Sequence, residues 1–281
     1  MIVVTGATGN VGQALVTNLA AAGQTVTAVS RGVTGTAAPE RASVITARAD
    51  LSDLASLAGT FTGAEALFLL VPGSGEDVDG PALMAAATAA GLRRVVLLSS
   101  QAVGTRPGAM SHAPFAALEG AVRHSGLEWT ILRPGGLMSN ALAWAPTIRA
   151  QRTVFTPYAD VALPVVDPWD VADAAATALT DDAHAGRTYV LTGPRATTPR
   201  ERAASIAAAL GAAIDVVELT PDQAREQMTK VMPDAVAEGT LQIMGHPTAA
   251  EEEVSPHVSE LVGRSARSFA TWAARSADAF R

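Results

Sequence analysis

A doubly wound α/β domain with a parallel sheet, followed by a smaller, mainly helical carboxy-terminal region, is the fold class this sequence predicts. Three observations predict it. Residues 2–4 form a β-branched apolar run that reaches Gly6, Gly9 and Gly12, and an alanine-rich segment over 11–22 then ends at Gly23. That is a strand, a tight turn and a helix. Apolar runs of strand length alternate with helical segments as far as Pro134, the pattern of a parallel sheet wound by right-handed crossovers. Beyond Pro134 the alternation loosens.

In chain order, the second strand falls at 25–30. Arg31 then opens a Gly/Thr/Ala/Pro-rich loop to Glu40, and a third strand follows at 43–48. Asp50-Leu51-Ser52-Asp53 starts a short helix, with Ser52 as its N-cap. The run 66–71, closed by Pro72-Gly73, is continuously apolar, as a strand buried on both faces must be. A helix over 81–90 stops at Gly91, a buried strand follows at 93–99, and a helix at 114–124. The strand at 128–132 ends at Arg133-Pro134-Gly135.

Further on, 161–166 and 188–191 read as strands, with Asp167 as N-cap and Pro168 opening the helix between them. Thr198-Pro-Arg-Glu201 is a capping box for a helix running to Leu210 and stopped by Gly211; Thr220-Pro-Asp-Gln223 repeats the device. Helices fill most of the tail, where 251–253 reads as a solvated acidic face. The division implied is a core over 1–154, rejoined by 161–193, and a smaller region over 195–281.

Composition excludes several functions. Net charge of −7 opposes non-specific binding to nucleic acid or anionic membrane. With no cysteine there is no disulfide, thiolate metal site or cysteine nucleophile. The five histidines show no metal-ligand spacing, and no G-x-S-x-G elbow occurs. The chain begins directly on a strand and carries no long apolar run, so the cytoplasm is the expected location. Among twenty Lys and Arg residues only Lys230 is lysine, a bias expected of a GC-rich genome.

The glycine turn carries the chemistry. Amides at a helix start lack intrahelical partners and sit at the positive end of its dipole, so they suit a pyrophosphate, and glycine lets the phosphates approach. Written out as Thr-Gly-Ala-Thr-Gly-Asn-Val-Gly12, the turn resembles that of the short-chain dehydrogenase/reductase superfamily, in particular its atypical NmrA-like branch. The resemblance continues in Val95-Val-Leu-Leu-Ser-Ser100, in Ser125-Gly-Leu-Glu-Trp-Thr-Ile-Leu-Arg-Pro134, in Asp167-Pro-Trp-Asp-Val-Ala172 and in Gly186-Arg-Thr-Tyr-Val-Leu-Thr-Gly-Pro194. It implies a Rossmann sheet binding NADPH or NADH, with 195–281 as substrate or lid region. It also implies reductase chemistry on quinones or carbonyls, as in actinobacterial polyketide-tailoring ketoreductases of antibiotic biosynthesis; other members are redox sensors.

For the cofactor, Gly6, Thr8, Gly9, Asn10, Val11 and Gly12 face the phosphates. Arg31, at the end of the second strand, can pair with a 2′-phosphate that a carboxylate there would repel, which predicts NADPH over NADH; its alternative is a solvated arginine. By resemblance Asp50 and Leu51 border the adenine, Val71 and Pro72 line the cleft wall, and Ser99 and Pro134 also bind the cofactor. Leu51 and Val71 are equally readable as core.

Catalysis is harder to place. The superfamily's usual acid is a tyrosine with a lysine four residues on, but the only lysine is Lys230 and the only tyrosines are Tyr158 and Tyr189. Aligned on Glu119-Gly-Ala-Val-Arg-His-Ser-Gly126, the tyrosine slot falls near Ser111 and the lysine slot near Phe115. By resemblance Ser99, Ser100 and Gln101 are placed to donate to a substrate oxygen, although Ser100 also suits capping backbone. His112 is a candidate proton donor or an inert loop histidine. The expected function is reduction of a hydrophobic aromatic ketone or quinone by NAD(P)H, the rival being an NADPH-sensing regulator. In the tail, Met228, Met232, Met244, Phe269 and Trp272 read as apolar packing, or as a lid over a flat substrate.

Overall fold

Among the described residues the strands are β1 (Ile2–Val4), β2 (Val26–Ser30), β3 (Val44–Arg48), β4 (Ala66–Leu70), β5 (Arg94–Leu98), β6 (Glu128–Pro134), β7 (Thr153–Thr156), β8 (Arg187–Leu191) and β9 (Asp215–Glu218). The α-helices are α1 (Asn10–Ala21), α2 (Leu54–Leu57), α3 (Gly80–Ala89), α4 (Ala102–Thr105), α5 (Ala113–Arg123), α6 (Ala145–Gln151), α7 (Pro168–Thr180), α8 (Pro199–Leu210), α9 (Pro221–Met228), α10 (Asp234–Gly245), α11 (Ala249–Glu252), α12 (His257–Val262) and α13 (Phe269–Arg275). The computed structural model describes residues 1–32, 43–57 and 59–281. Most of the loop read from Arg31 to Glu40 lies outside them. The chain divides into two units, one of 1–103, 112–134 and 168–190, the other of 104–111, 135–167 and 191–281.

The first unit is built on a seven-stranded sheet of order β3-β2-β1-β4-β5-β6-β8, with neighbours parallel from β3 to β6. Register places Val3, Leu67 and Val95 in one row. Side chains alternate along a strand, so this row faces one side, where it joins Leu83 and Met84 of α3 and Leu118 and Val122 of α5. On the other side α1 and α7 pack against one another and against strands. With both faces covered, every residue of β5 is buried, Arg94 included, and from Val95 onward the strand reads as an unbroken apolar run. Each fully buried aliphatic side chain contributes about 1.5–3 kcal/mol. The chain runs outward from β1 to β3 and returns to β4, so β1 and β4 flank the reversal of strand order where such sheets bind ligands.

The second unit holds the parallel pair β7-β9 and its own core of Ile148, Val154, Ile206, Phe269, Trp272 and Phe280. Phe269 and Trp272, two of the expected packing residues, stack at 5.0 Å between centroids. Both predicted capping boxes form, at Thr198 and Thr220, and Gly211 ends α8 with φ of 65°.

Three local expectations are corrected. Residues 161–166 make isolated bridges, Leu163 to Thr197 and Val166 to Leu137, instead of a strand; Pro164 has no N–H to extend a ladder. The short helix after Asp50 starts later, with Asp53 accepting from the Ala55 amide at 3.1 Å in the role assigned to Ser52. Glu251 is not solvated: it is 3% exposed and ion-paired.

Candidate functional site

The amino-terminal turn is assembled from the ends of β1 and β4. Thr5 is buried, and its hydroxyl donates to the Leu70 carbonyl and accepts from the Leu70 amide, both at 2.9 Å, which fastens the two strand ends together. Gly6 then takes a left-handed φ of 62°, accessible to glycine at little cost. Its carbonyl accepts from the Gly9 amide at 3.0 Å. A Cβ on Gly12 would overlap that same carbonyl oxygen and lie 2.8 Å from Ala7 Cα, so only glycine lets α1 start this close to the turn.

Gly9 is the N-cap of α1 and offers no side chain, and the first turn of the helix has no acidic residue. The amides of Asn10, Val11 and Gly12 therefore have neither intrahelical acceptors nor a capping oxygen. Thr8, Gly9 and Asn10 form an exposed rim. An uncapped, glycine-lined helix start without acidic charge fits a dinucleotide's phosphates.

Beside the turn, Arg31 is exposed at the end of β2. The Asp50 carboxylate accepts from the Ser52 amide at 3.0 Å and the Ser52 hydroxyl at 2.8 Å. The Ser52 bonds, with some help from the charge of Arg31, hold this carboxyl below its ordinary range. Leu51 and Val71 belong to the core of the first unit, and Pro72 is exposed.

At the carboxyl ends of β5 and β6 the structure reveals a network that the sequence reading missed. Glu119, on α5 and 3% exposed, accepts from Ser99 Oγ at 2.7 Å and from Arg133 Nε and Nη2 at 2.8 and 2.6 Å. Burial pushes its carboxyl up, but Arg133 and Ser99, with Arg123 farther off, more than offset this, and it ends below the ordinary carboxylate range. The Ser99 hydroxyl, expected to donate to a substrate oxygen, instead donates its proton to Glu119. A signal existed: Phe115, Leu118 and Val122 have the i, i+3, i+7 spacing of a buried stripe, and Glu119 stands at its i+4 position. Ser100 Oγ accepts from the Ala102 amide at 3.3 Å, the capping alternative for this residue. Gln101 is buried, and its amide donates to the carbonyl of Pro134, which closes β6, at 2.9 Å.

Ser111, near the tyrosine slot, lies in a one-turn 3-10 segment, Met110–His112. It is seated against Gly239 of α10, where an added Cβ would fall 2.6 Å from Ser111 Cβ. The segment entering Ser111 is fastened by Arg106, whose Nε and Nη2 each donate to Glu251 at 2.8 Å while Nη2 also reaches the His246 carbonyl at 2.7 Å. Thr105 Oγ1 adds a bond to Glu251 at 2.8 Å. His112 opens α5 and its ring lies 6.5 Å from that of Phe115, which stands near the lysine slot. Lys230 is exposed and paired with Glu226, and the Tyr189 hydroxyl bonds His184 at 2.8 Å. Tyr158 adopts a positive φ of 51° and packs on Gly245.

Residues 6–182 match the model of a family described as NAD(P)H-binding. Along its whole length the chain is 40% identical to 99% of a (4-alkanoyl-5-oxo-2,5-dihydrofuran-3-yl)methyl phosphate reductase of Streptomyces griseus. It is 30% identical, again over its whole length, to 99% of an NAD(P)H azoreductase of Xenophilus azovorans. Among solved structures, an NADPH-dependent quinone oxidoreductase of Escherichia coli superposes with a TM-score of 0.79 at 25% identity, covering 98% of this chain and 99% of that one. The helix start that fits a pyrophosphate is thus the amino-terminal landmark of a chain that belongs to the NAD(P)H-binding family of oxidoreductases.

Proposed function

We propose that the protein reduces a small molecule with a conjugated electrophilic centre, a quinone, an aromatic ketone or an unsaturated lactone, using NADPH. The observation that carries this reading is a cofactor turn kept whole in a chain with no Tyr-x-x-x-Lys. NADPH, when bound, supplies the hydride. A conjugated acceptor spreads the charge that hydride addition creates, so the protein has less need of a positioned acid. The names of the three relatives above, a dihydrofuranone bearing two carbonyls, an azo compound and a quinone, all describe acceptors of this kind.

In this reading residues 1–154 with 161–193 hold the cofactor and 195–281 the substrate. The amides of Asn10, Val11 and Gly12, with Gly6, Thr8 and Gly9 around them, hold the pyrophosphate, and Arg31 pairs with the 2′-phosphate. Asp50 and Leu51 border the adenine, Val71 and Pro72 form the wall, and Ser99 and Pro134 shape the nicotinamide end. Ser99 does so through Glu119, which fixes its hydroxyl. Ser100, Gln101 and Ser111 orient the substrate oxygen, and His112 returns the proton. Such positioning alone lowers a barrier by several kcal/mol.

The test is NADPH oxidation, followed by loss of reduced-nicotinamide absorbance, with quinones, hydroxyaryl ketones and alkanoyl dihydrofuranones as acceptors. Turnover of at least one class is expected. Tight NADPH binding without turnover of any would replace this reading with the sensor, the alternative that the missing tyrosine and lysine favour. A His112→Ala variant with unchanged kcat across pH removes His112 from the mechanism.

A further inference from the structure

Arg202 is the charged residue of the second unit that packing does not explain. It sits in the first turn of α8, four residues before the buried Ile206 and so on the same helix face. Its Nε donates to Thr197 Oγ1 at 3.1 Å and its Nη2 to the Thr197 carbonyl at 2.6 Å. These two bonds occupy the side-on edge of the guanidinium. The Thr197 carbonyl also accepts from the Leu163 amide at 3.1 Å, so both of its lone pairs are used. The three remaining N–H groups, two on Nη1 and one on Nη2, have no acceptor among the described residues, and one from each nitrogen forms the end-on edge.

Neighbouring carboxylates are committed elsewhere. Glu201 accepts from the Thr198 amide at 2.8 Å and from Arg195 at 3.1 Å. Asp160 accepts from Arg200 at 2.9 and 3.2 Å. Burial pushes Arg202 down to about 10, the charge of Glu201 opposing it only in part. A half-buried cation that hydrogen-bonds no carboxylate among the described residues is costly, and the positive end of α8 adds to the cost. An aliphatic side chain would fill this face of α8 without that cost, so the charge needs a ligand to account for it.

We propose that the end-on edge of Arg202 binds a phosphate monoester carried by the substrate. An end-on guanidinium presents parallel donors that match two phosphate oxygens, and the relative at 40% identity is named for a methyl phosphate substrate. That the ester belongs to a molecule being reduced rests on the function proposed above; the anion site itself does not.

Calorimetric titration with butyl phosphate, in protein saturated with NADP⁺ so that the cofactor's own phosphate sites are filled, reads the site without turnover. Wild type should bind one equivalent, Arg202→Gln should bind about tenfold more weakly or worse, and Arg202→Lys, with charge but no fork, should fall between them. In turnover, Arg202→Gln should lower kcat/KM for an alkanoyl dihydrofuranone methyl phosphate at least about tenfold more than for the corresponding alcohol. No butyl phosphate binding by wild type, or equal binding by folded variants, overturns the site. Binding without reduction of any acceptor leaves the site and removes the reductase reading; quinone turnover without binding does the reverse.

Discussion

In each unit one buried carboxylate ties several elements together, Glu119 in the first and Glu251 in the second, and the two do different work. Glu119 lies inside the regular packing of sheet and helix, where it joins the end of β5 through Ser99, β6 through Arg133 and its own α5. Glu251 lies where short helices meet. It closes a capping box by accepting from the Thr248 amide at 2.9 Å, and it binds Thr105 and Arg106 of the segment leading to Ser111. In the first unit apolar periodicity builds the fold, and the carboxylate adds a polar fastening at the edge where the cofactor is expected. In the second unit most helices other than α8 and α10 are short, and caps and ion pairs take over part of what periodicity does elsewhere.

Removing Glu119 should therefore have the larger effect. Glu119→Ala strands Arg133 and Ser99 and should cost about 3–5 kcal/mol, read as a fall in Tm and in the denaturant midpoint. Because both folded-state carboxyls titrate below the ordinary value of 4.5, their stabilisation is complete above that pH and drains as pH falls through the lowered values. Wild type should lose Tm on acidification over that window, and Glu119→Gln should lose part of this dependence. An unchanged acid profile in Glu119→Gln would break the comparison.

Glu251→Ala should cost less, roughly 2–3 kcal/mol, because Arg106 keeps its bond to the His246 carbonyl when the carboxylate is gone. Its sharper signature should be kinetic. With Arg106 and Thr105 released, the segment bearing Ser111 loses its anchor, and kcat should fall severalfold while NADPH affinity holds. Equal loss of NADPH affinity in the two variants would erase the distinction between the units. Gly12→Ala tests the opposite corner: the forced overlap with Gly6 should cost about 1–3 kcal/mol and weaken NADPH binding, measured by fluorescence titration, more than it lowers Tm.

How legible these features were follows from the same contrast. The strands of the first unit were read to within a residue or two because two covered faces leave an unbroken apolar signature, as in β4 and β5. The boxes at Thr198 and Thr220 were equally plain, since their chemistry is local. β7 and β9 escaped: four residues such as Asp-Val-Val-Glu, half of them charged, look like a surface turn until a distant partner pairs with them. Glu251 reads as solvated in the sequence because its neighbours are acidic, and the arginine that pairs with it is 145 positions away. Glu119 and Arg133 are similarly joined only by the fold. Long-range ion pairs leave no periodic trace.

The smallest effect concerns Arg31, exposed and held by no packing. Among the described residues it acts on Asp50, whose carboxyl is already occupied by Ser52 and gains only a minor share of its lowering from Arg31. Among the described residues no carboxylate hydrogen-bonds the guanidinium, and losing it should leave the unfolding free energy within about 0.5 kcal/mol of wild type. Against a 2′-phosphate the same group forms a charge-assisted contact in water, where solvent and salt discount it. Arg31→Ala should therefore lower the NADPH/NADH ratio of kcat/KM by about tenfold, equivalent to about 1.4 kcal/mol, and the drop should shrink as salt rises. A ratio that stays fixed at low and high salt would reduce Arg31 to a solvated surface charge and leave 2′-phosphate recognition to other residues.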